Sequence, residues 1–117
     1  MGLGLKENQL KINFESIEFQ GSYGEKILAS NIQSIELVKE LPKISLKTNG
    51  FALGSVKKGF FKTEEGEKIK LIINAEQSSV LLITKKNGQK IYYSAKNESN
   101  FNIVSELKNK LPELHYR

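Results

Sequence analysis

The most constraining feature of this chain is a two-residue apolar period, which recurs in short runs and gives way to a helical period near residue 100. Leu10 and Ile12 alternate with polar neighbours, and later Ile69, Leu71 and Ile73 alternate with Lys68, Lys70 and Ile72. Alternation of this kind predicts half-buried β-strands. Because clusters of turn residues separate the runs, the sequence predicts about seven or eight short strands.

Three local signals predict how neighbouring strands are joined. Phe14 and Ile17 change the parity of the first alternation, which predicts a hairpin with a two-residue turn at Glu15-Ser16, or alternatively a bulge. Asn49-Gly50 is a strong turn signal. Asn87-Gly88 predicts a type I′ hairpin between two apolar runs.

The stretch from Thr48 to Phe61 holds three glycines, at Gly50, Gly54 and Gly59. The last two enclose four residues, as at the start of a phosphate-binding P-loop. That motif continues with Gly-Lys-Ser/Thr, whereas here two phenylalanines follow the last glycine. The glycines are therefore interpreted as turn and bulge positions in β-structure.

After the last strand the apolar period becomes helical. Asn97 or Ser99 can cap a helix of about three turns, and Pro112 ends it. The side chains predicted to pack this helix against the strands are Phe101, Val104, Leu107 and Leu111.

Many short strands and one terminal helix predict a mainly β fold, in which closure or stacking protects the sheet edges and the helix plugs an open end. The 117 residues fit one domain, 1–117. Residues 1–8 are expected to be disordered or derived from an expression vector, and residues 112–117 to form a tail. No apolar run is long enough for a membrane span.

Six short segments, spread over about residues 17–111, carry a resemblance to a known family. They are Gly21–Gly24, Ile32–Leu37 with Leu41-Pro42, Thr48–Gly50, Gly59-Phe60, Val80–Thr84 with its Asn-Gly turn, and Tyr92–Ser94. Together they resemble bacterial pleckstrin-homology-like (PH-like) domains, from a small family of uncharacterised function.

This resemblance implies a barrel of about seven antiparallel strands in two near-orthogonal sheets, capped by the C-terminal helix. Phosphoinositide-binding members of the wider superfamily use Lys and Arg around the first strand–strand loop. Here that loop would be Glu15-Ser16, which is short and acidic, and this departure argues against inositol-phosphate binding. The location is left open: from the resemblance we expect a soluble domain in the bacterial cytoplasm, or one associated with a membrane if an upstream anchor is missing from the sequence.

Missing residue types argue against catalysis and metal binding. The chain has no Cys and no Asp, and its single His, His115, is the third residue from the end. Metal sites and nucleophilic triads draw on these residue types. We therefore expect no catalytic, cofactor-binding or metal-ligating residues, no cofactor and no enzymatic activity. A small enzyme with an unrecognised site is the least favoured alternative.

The net charge of +5 comes from 17 Lys and one Arg against 13 Glu. Lysine without arginine is not typical of specific nucleic-acid recognition. The sequence is interpreted as a binding or scaffolding module for an unknown protein partner, with weak contact to an anionic membrane surface as the alternative. Lys57, Lys58 and Lys62, close together around Gly59, are the predicted contacts; the oligomeric state is left open.

Overall fold

The alternating runs form nine strands, and the helical period forms one C-terminal helix. The structure is a computed structural model, and it describes residues 7–117. The elements are β1 (Leu10–Ile12), β2 (Ser16–Phe19), β3 (Glu25–Leu28), a single 3-10 turn (Ala29–Asn31), β4 (Ile32–Val38), β5 (Ile44–Leu53), β6 (Val56–Thr63), β7 (Lys68–Ile73), β8 (Val80–Lys85), β9 (Lys90–Ser94) and α1 (Asn100–Lys110).

The strands form two sheets. Strands β1, β2 and β3 make a small antiparallel sheet, and the large sheet has the order β4-β8-β9-β7-β6-β5. The chain is thus mainly β with a C-terminal helix, as the sequence predicts, and the arrangement is consistent with a sandwich or barrel-like fold.

Strand number and direction differ from the expectation of about seven antiparallel strands. Nine strands lie within residues 7–117, and β7 pairs with β9 in parallel, with Leu71 opposite Tyr92. The β8–β9 hairpin places β9 between β7 and β8, so β7 and β8 are not neighbours. Both β7 and β9 are buried on both faces, which is the usual environment of parallel pairing.

The large sheet is curled, as the short connection between its two edge strands shows. Residues 39–43 join β4 at one edge to β5 at the other. Edges of a flat six-stranded sheet lie about 24 Å apart at the usual strand spacing. An extended connection from Val38 to Ile44 spans at most about 21 Å. Since this connection is shorter than the width of a flat sheet, the edges at Val38 and Ile44 lie closer together than in a flat sheet.

The first hairpin forms, but its register differs from the prediction. Ile17 lies opposite Ile12 instead of Phe14, and the Asn13 N–H donates to the Ser16 carbonyl across the turn. Phe14 lies in this turn and is exposed. The alternation alone could not show that Ile12 and Ile17, both buried, are the residues that reach the core.

The predicted hairpin at Asn87-Gly88 is confirmed, but its turn is not type I′. That turn needs a positive φ at both central residues. Gly88 has a φ of 95°, whereas the only non-glycine residue of the described chain with positive φ is Tyr23. The Gly88 N–H donates to the Lys85 carbonyl, and the Lys85 N–H donates to the Gln89 carbonyl. These features define a three-residue loop that ends in a left-handed glycine.

Both faces of the large sheet carry a buried apolar cluster. One face, here called the helix-side face, packs against the small sheet and α1; it includes Ile35, Ile72, Leu81 and Tyr93. The opposite, loop-side face carries a second cluster that Leu41 of the β4–β5 connection helps to cover; its members are Phe61, Ile69, Leu71, Ile73, Val80, Leu82 and Tyr92. The helix therefore covers only one of the two apolar faces.

The helix begins and ends where the sequence predicts, and three of its four predicted packing residues, Val104, Leu107 and Leu111, contact the core of the helix-side face. The Ser99 hydroxyl accepts a hydrogen bond from the Phe101 N–H as the N-cap, and the helix ends before Pro112. Leu107 is buried as expected, together with Ile103, whereas Phe101 is 67% exposed. The prediction that Phe101 packs into the core is wrong. In residues 7–117, no helix is long and apolar enough to cross a membrane.

The two terminal segments are better integrated than the sequence suggests. Residues 1–6 lie outside the described part of the chain, but Asn8 is buried and Tyr93 donates a 2.7 Å hydrogen bond to its carbonyl. At the other end, the Ile35 N–H donates to the His115 carbonyl, and the Arg117 N–H donates to the Ile35 carbonyl. Residues 115–117 therefore pair with the outer edge of β4 instead of forming a free tail.

Candidate functional site

The candidate site is built on the β5–β6 hairpin. Its turn is Gly54-Ser55, with Gly54 at a φ of 60° and Leu53 opposite Val56. The predicted turn at Asn49-Gly50 is wrong, because these residues continue β5. Pairing through them extends β5 to ten residues, so the hairpin gains backbone hydrogen bonds that an earlier turn would forgo.

Gly59 allows the two strands of the hairpin to approach closely. It has a φ of 122°, and a Cβ at this position would collide with the backbone of Asn49 and Gly50. The glycines of this stretch are therefore required by the backbone, as the sequence predicts: Gly54 forms the turn, and Gly59 allows the close approach of the strands. The register also shifts between Lys47 and Asn49, where the Thr48 hydroxyl donates to the Phe60 carbonyl.

Strand β5 lies at the edge of the large sheet. Among residues 7–117 it pairs only with β6, whereas the opposite edge strand, β4, carries the C-terminal residues on its outer side. Seven of the ten residues of β5 are exposed. The hairpin therefore offers one strand edge whose backbone groups pair with no other described strand.

Strand β6 separates the three predicted contact lysines between two faces. Because side chains alternate along a strand, Lys58 and Lys62 lie on the helix-side face and Lys57 on the loop-side face. Lys57 and Lys62 are half-buried. The Lys57 Nζ lies 3.5 Å from the Gly54 carbonyl oxygen. The three lysines therefore do not form one exposed cluster.

Lys58 is not a surface contact. Its side chain is 1% exposed, and burial lowers its pKa below the ordinary lysine value, partly offset by the nearby negative charge of Glu7. A fully buried side chain cannot touch a membrane or a partner in this conformation. This corrects the prediction for Lys58 and leaves Lys57 and Lys62 as possible contacts.

Two further lysines belong to the same region. Residues 41–63, here called the lysine hairpin, contain five lysines and no acidic residue; Lys43 and Lys47 are the two that the sequence prediction missed. Outside this segment the chain has 13 basic and 13 acidic residues, which cancel. The whole net charge of +5 therefore resides in the lysine hairpin, and the absence of Glu between positions 40 and 64 was the available sequence signal.

Exposed apolar side chains lie beside these charges. Leu46 and Leu53, near the two ends of β5, are 56% and 59% exposed. The registers with Lys62 and Val56 place both leucines on the helix-side face of the hairpin. Nearby, Phe60 is partly exposed and packs edge-on against Tyr23 at a centroid distance of 6.3 Å. The hairpin therefore combines positive charge with apolar contact surface.

A cavity of about 450 Å³ opens on the loop-side face next to the hairpin turn. Its lining includes Lys39, Leu41, Lys57 and Gln77. Gln77 is held in place because its amide donates to the carbonyls of Ala95 and Glu98. Glu40 and Glu76 also line the cavity, so its two lysines are balanced by two carboxylates and the cavity carries no excess of positive charge.

The clearest ionic cluster outside the hairpin joins the two sheets. Glu25 of β3 accepts hydrogen bonds from Lys70 at 2.7 Å and from Lys85 at 3.1 Å. Burial alone would raise the pKa of Glu25, but the hydrogen bonds from the two lysines outweigh it and hold that pKa below its ordinary value. Because both carboxylate oxygens are occupied by lysines, this cluster serves to join the sheets.

The single histidine, His115, has a structural position: its backbone carbonyl accepts a hydrogen bond from the Ile35 N–H at the β4 edge. In the described part of the chain, no group of three or more His, Cys, Asp or Glu side chains is placed to hold a metal ion. The absence of a metal, a cofactor and enzymatic activity stays a prediction.

Comparison with known proteins adds no relative. No family model matches the chain, and neither the curated proteins nor the solved structures include a match. The resemblance to PH-like domains therefore stays a prediction.

Proposed function

We propose that the chain is a non-enzymatic binding or scaffolding module whose protein partner contacts the lysine hairpin. One observation carries the proposal: the entire net charge lies on the lysine hairpin, and the outer edge of its strand β5 pairs with no described strand. Charge complementarity steers association and selects partners. Aromatic and apolar side chains next to such charge supply contact area.

The proposal includes the PH-like interpretation of the fold. The mainly β architecture and the terminal helix support it, while the parallel β7–β9 pair is a departure from the expected antiparallel arrangement. The angle between the strand directions of the two sheets, measured by X-ray crystallography, tests this part of the proposal. Strand directions far from orthogonal would contradict the PH-like interpretation without affecting the proposed binding surface.

The binding surface is tested by charge reversal with a matched control. The hairpin variant carries Lys47→Glu, Lys57→Glu and Lys62→Glu. The control reverses three exposed lysines elsewhere, Lys11, Lys26 and Lys86. Both variants change the net charge equally, so a difference between them reports position and not total charge.

The measurement is in-cell cross-linking of the tagged protein, followed by identification of the attached proteins. We expect partners captured by the wild-type chain to be lost from the hairpin variant and retained by the control. Equal capture by both variants would show that the partner binds elsewhere. Circular dichroism of each variant confirms that the comparison concerns folded protein.

The alternative function is weak binding to an anionic membrane, and the exposed Leu46 and Leu53 beside the lysines favour it. Each lysine near such a surface contributes about 1 kcal/mol, and the contribution falls off within a Debye length. Binding to phosphatidylserine vesicles should therefore disappear as salt rises towards the physiological range. Salt-resistant preference for one phosphoinositide would instead show specific lipid recognition and overturn the proposed protein-binding function.

A further inference from the structure

We infer that the partner of the lysine hairpin is an extended acidic peptide segment, which adds to the outer edge of β5 as a further strand. The inference rests on the proposed function, since it names the chemistry of the partner at the same surface. Three properties of β5 carry it: its edge, its charge and its exposed leucines.

The edge of β5 lacks most of the features that usually prevent strand addition. Natural edge strands tend to be short, or interrupted by proline or inward-pointing charges. Strand β5 has ten residues, no proline and one charged residue, Lys47. Register shifts interrupt its first half, but pairing with β6 is continuous from Asn49 to Leu53. Five consecutive residues therefore present a regular strand edge.

The opposite edge of the sheet shows that this fold accepts an added extended segment. At β4, the chain's own residues 115–117 make two 2.9 Å backbone hydrogen bonds, both with Ile35. Among the described residues, no equivalent segment lies along β5. The sheet is thus extended by its own tail on one side and open on the other.

The charge of the hairpin determines what can occupy this edge. Lys47 of β5 is exposed, and Lys57 and Lys62 of the neighbouring strand β6 are half-exposed. A second copy of this chain would bring another Lys47 and the other exposed hairpin lysines to this edge, and like charges across paired strands are destabilising. An acidic segment instead meets complementary charge along its length.

The side-chain pattern adds a second requirement. Leu46 and Leu53 are exposed on the same face of the hairpin. In strand addition, backbone hydrogen bonds supply affinity, and alternate side chains supply specificity. The segment that fits β5 therefore alternates acidic with apolar, β-branched residues, so that its apolar side chains can contact these leucines.

The test uses a fluorescent ten-residue peptide in which glutamate and valine alternate. Two further peptides keep this sequence and charge but carry N-methyl groups on alternate residues, one on the odd positions and one on the even positions. Each N-methylation pattern removes the hydrogen-bond donors from one edge of the extended peptide. A fourth peptide replaces every glutamate with lysine.

Binding is measured by fluorescence anisotropy at low and physiological salt. We expect the parent peptide and one N-methylated peptide to bind, and the other N-methylated peptide to bind at least about tenfold more weakly, since it loses several backbone hydrogen bonds. The lysine peptide should not bind. Lys47→Glu should weaken binding of the parent peptide, whereas Lys26→Glu, on the small sheet, should not.

Hydrogen exchange of the backbone amides provides a second readout. The parent peptide should slow exchange at residues 49–53 and leave the β4 edge unchanged. Equal binding of both N-methylated peptides, without such protection, would show that charge alone attracts the peptide and would overturn strand addition. Self-association of the pure protein that protects residues 49–53 would also overturn it, because the occupant would be a second copy.

These outcomes separate the inference from the proposed function. If no peptide binds but in-cell capture still depends on the hairpin lysines, strand addition is wrong and the binding surface stands. If capture is also independent of those lysines, both are wrong.

Discussion

Replacing Glu25 by glutamine tests how the two sheets are joined. Glu25 lies on the small sheet, and its two lysine partners lie on β7 and β8 of the large sheet. The side chain of Lys70 is 5% exposed and that of Glu25 is 25% exposed. Glutamine keeps the size of the side chain but leaves both lysines without their counter-charge.

Removing one partner of a fully buried ion pair costs about 3–5 kcal/mol, because the remaining charge is buried and uncompensated. Partial exposure of Glu25 allows water to replace some of the lost interaction, which lowers the cost. We therefore expect Glu25→Gln to reduce the free energy of unfolding by about 2–3 kcal/mol. This is a large fraction of the stability of a small domain.

The loss should depend on pH. The folded-state pKa of Glu25 is held below its ordinary value, so its contribution is fully present above the ordinary carboxyl range and disappears as the pH falls through the folded-state pKa. The difference between wild type and variant should therefore be largest near neutral pH and should shrink below about pH 4. Neutralised carboxyl and amide groups then bind the lysines similarly.

Urea unfolding followed by circular dichroism at several pH values measures both effects. The matched control is Glu18→Gln, because Glu18 is half-exposed and lies opposite Lys26 within the small sheet. This control should change the free energy of unfolding by no more than about 0.5 kcal/mol. A Glu25→Gln loss below about 1 kcal/mol, or one that is unchanged in acid, would refute the reasoning.

Three further predictions concern buried groups. Asn74→Ala should lower the free energy of unfolding by about 2–4 kcal/mol in urea titrations, because its amide makes three hydrogen bonds with the backbone of Asn8 and Ser94; a loss equal to that of an exposed-asparagine control would contradict this. Leu107→Ala should lower the free energy of unfolding by about 2–5 kcal/mol, because Leu107 is fully buried. Phe101→Ala should lower it by less than about 1 kcal/mol, because Phe101 is exposed. A larger loss for Phe101→Ala than for Leu107→Ala would contradict this orientation of the helix. Burial raises the pKa of Tyr93, so the folded state keeps its proton above about pH 10 and stability should fall as the pH rises further; thermal melts of Tyr93→Phe should show a weaker alkaline decline, and an unchanged decline would assign it to other groups.

The sequence located most strands and both ends of the helix because these depend on local chemistry. Alternation reports which residues can share a face of a strand, and Ser99 and Pro112 act on the helix ends through their own backbone neighbours. The Asn87-Gly88 hairpin was likewise predictable, since a glycine able to adopt positive φ follows a short polar turn. Such signals need no knowledge of distant parts of the chain.

Strand order was decided by the tertiary structure. The sequence cannot show that β9 lies between β7 and β8, because the apolar pattern of a strand reports its burial and does not identify its neighbours. The Asn49-Gly50 turn signal was overridden because pairing of β5 with β6 continues through it, with Gly50 close to the backbone of Gly59. A local preference of about 1 kcal/mol yields readily to several additional backbone pairs.

The candidate site divides in the same way. The sequence alone determined that residues 41–63 carry all of the net charge, because charge is a property of composition. Only the tertiary structure decided that Lys58 is buried, that Phe101 is exposed, and that β5 lies at an open edge while residues 115–117 cover β4. Each of these depends on which surfaces meet across the fold, and the pairing of distant residues is not encoded in any local period.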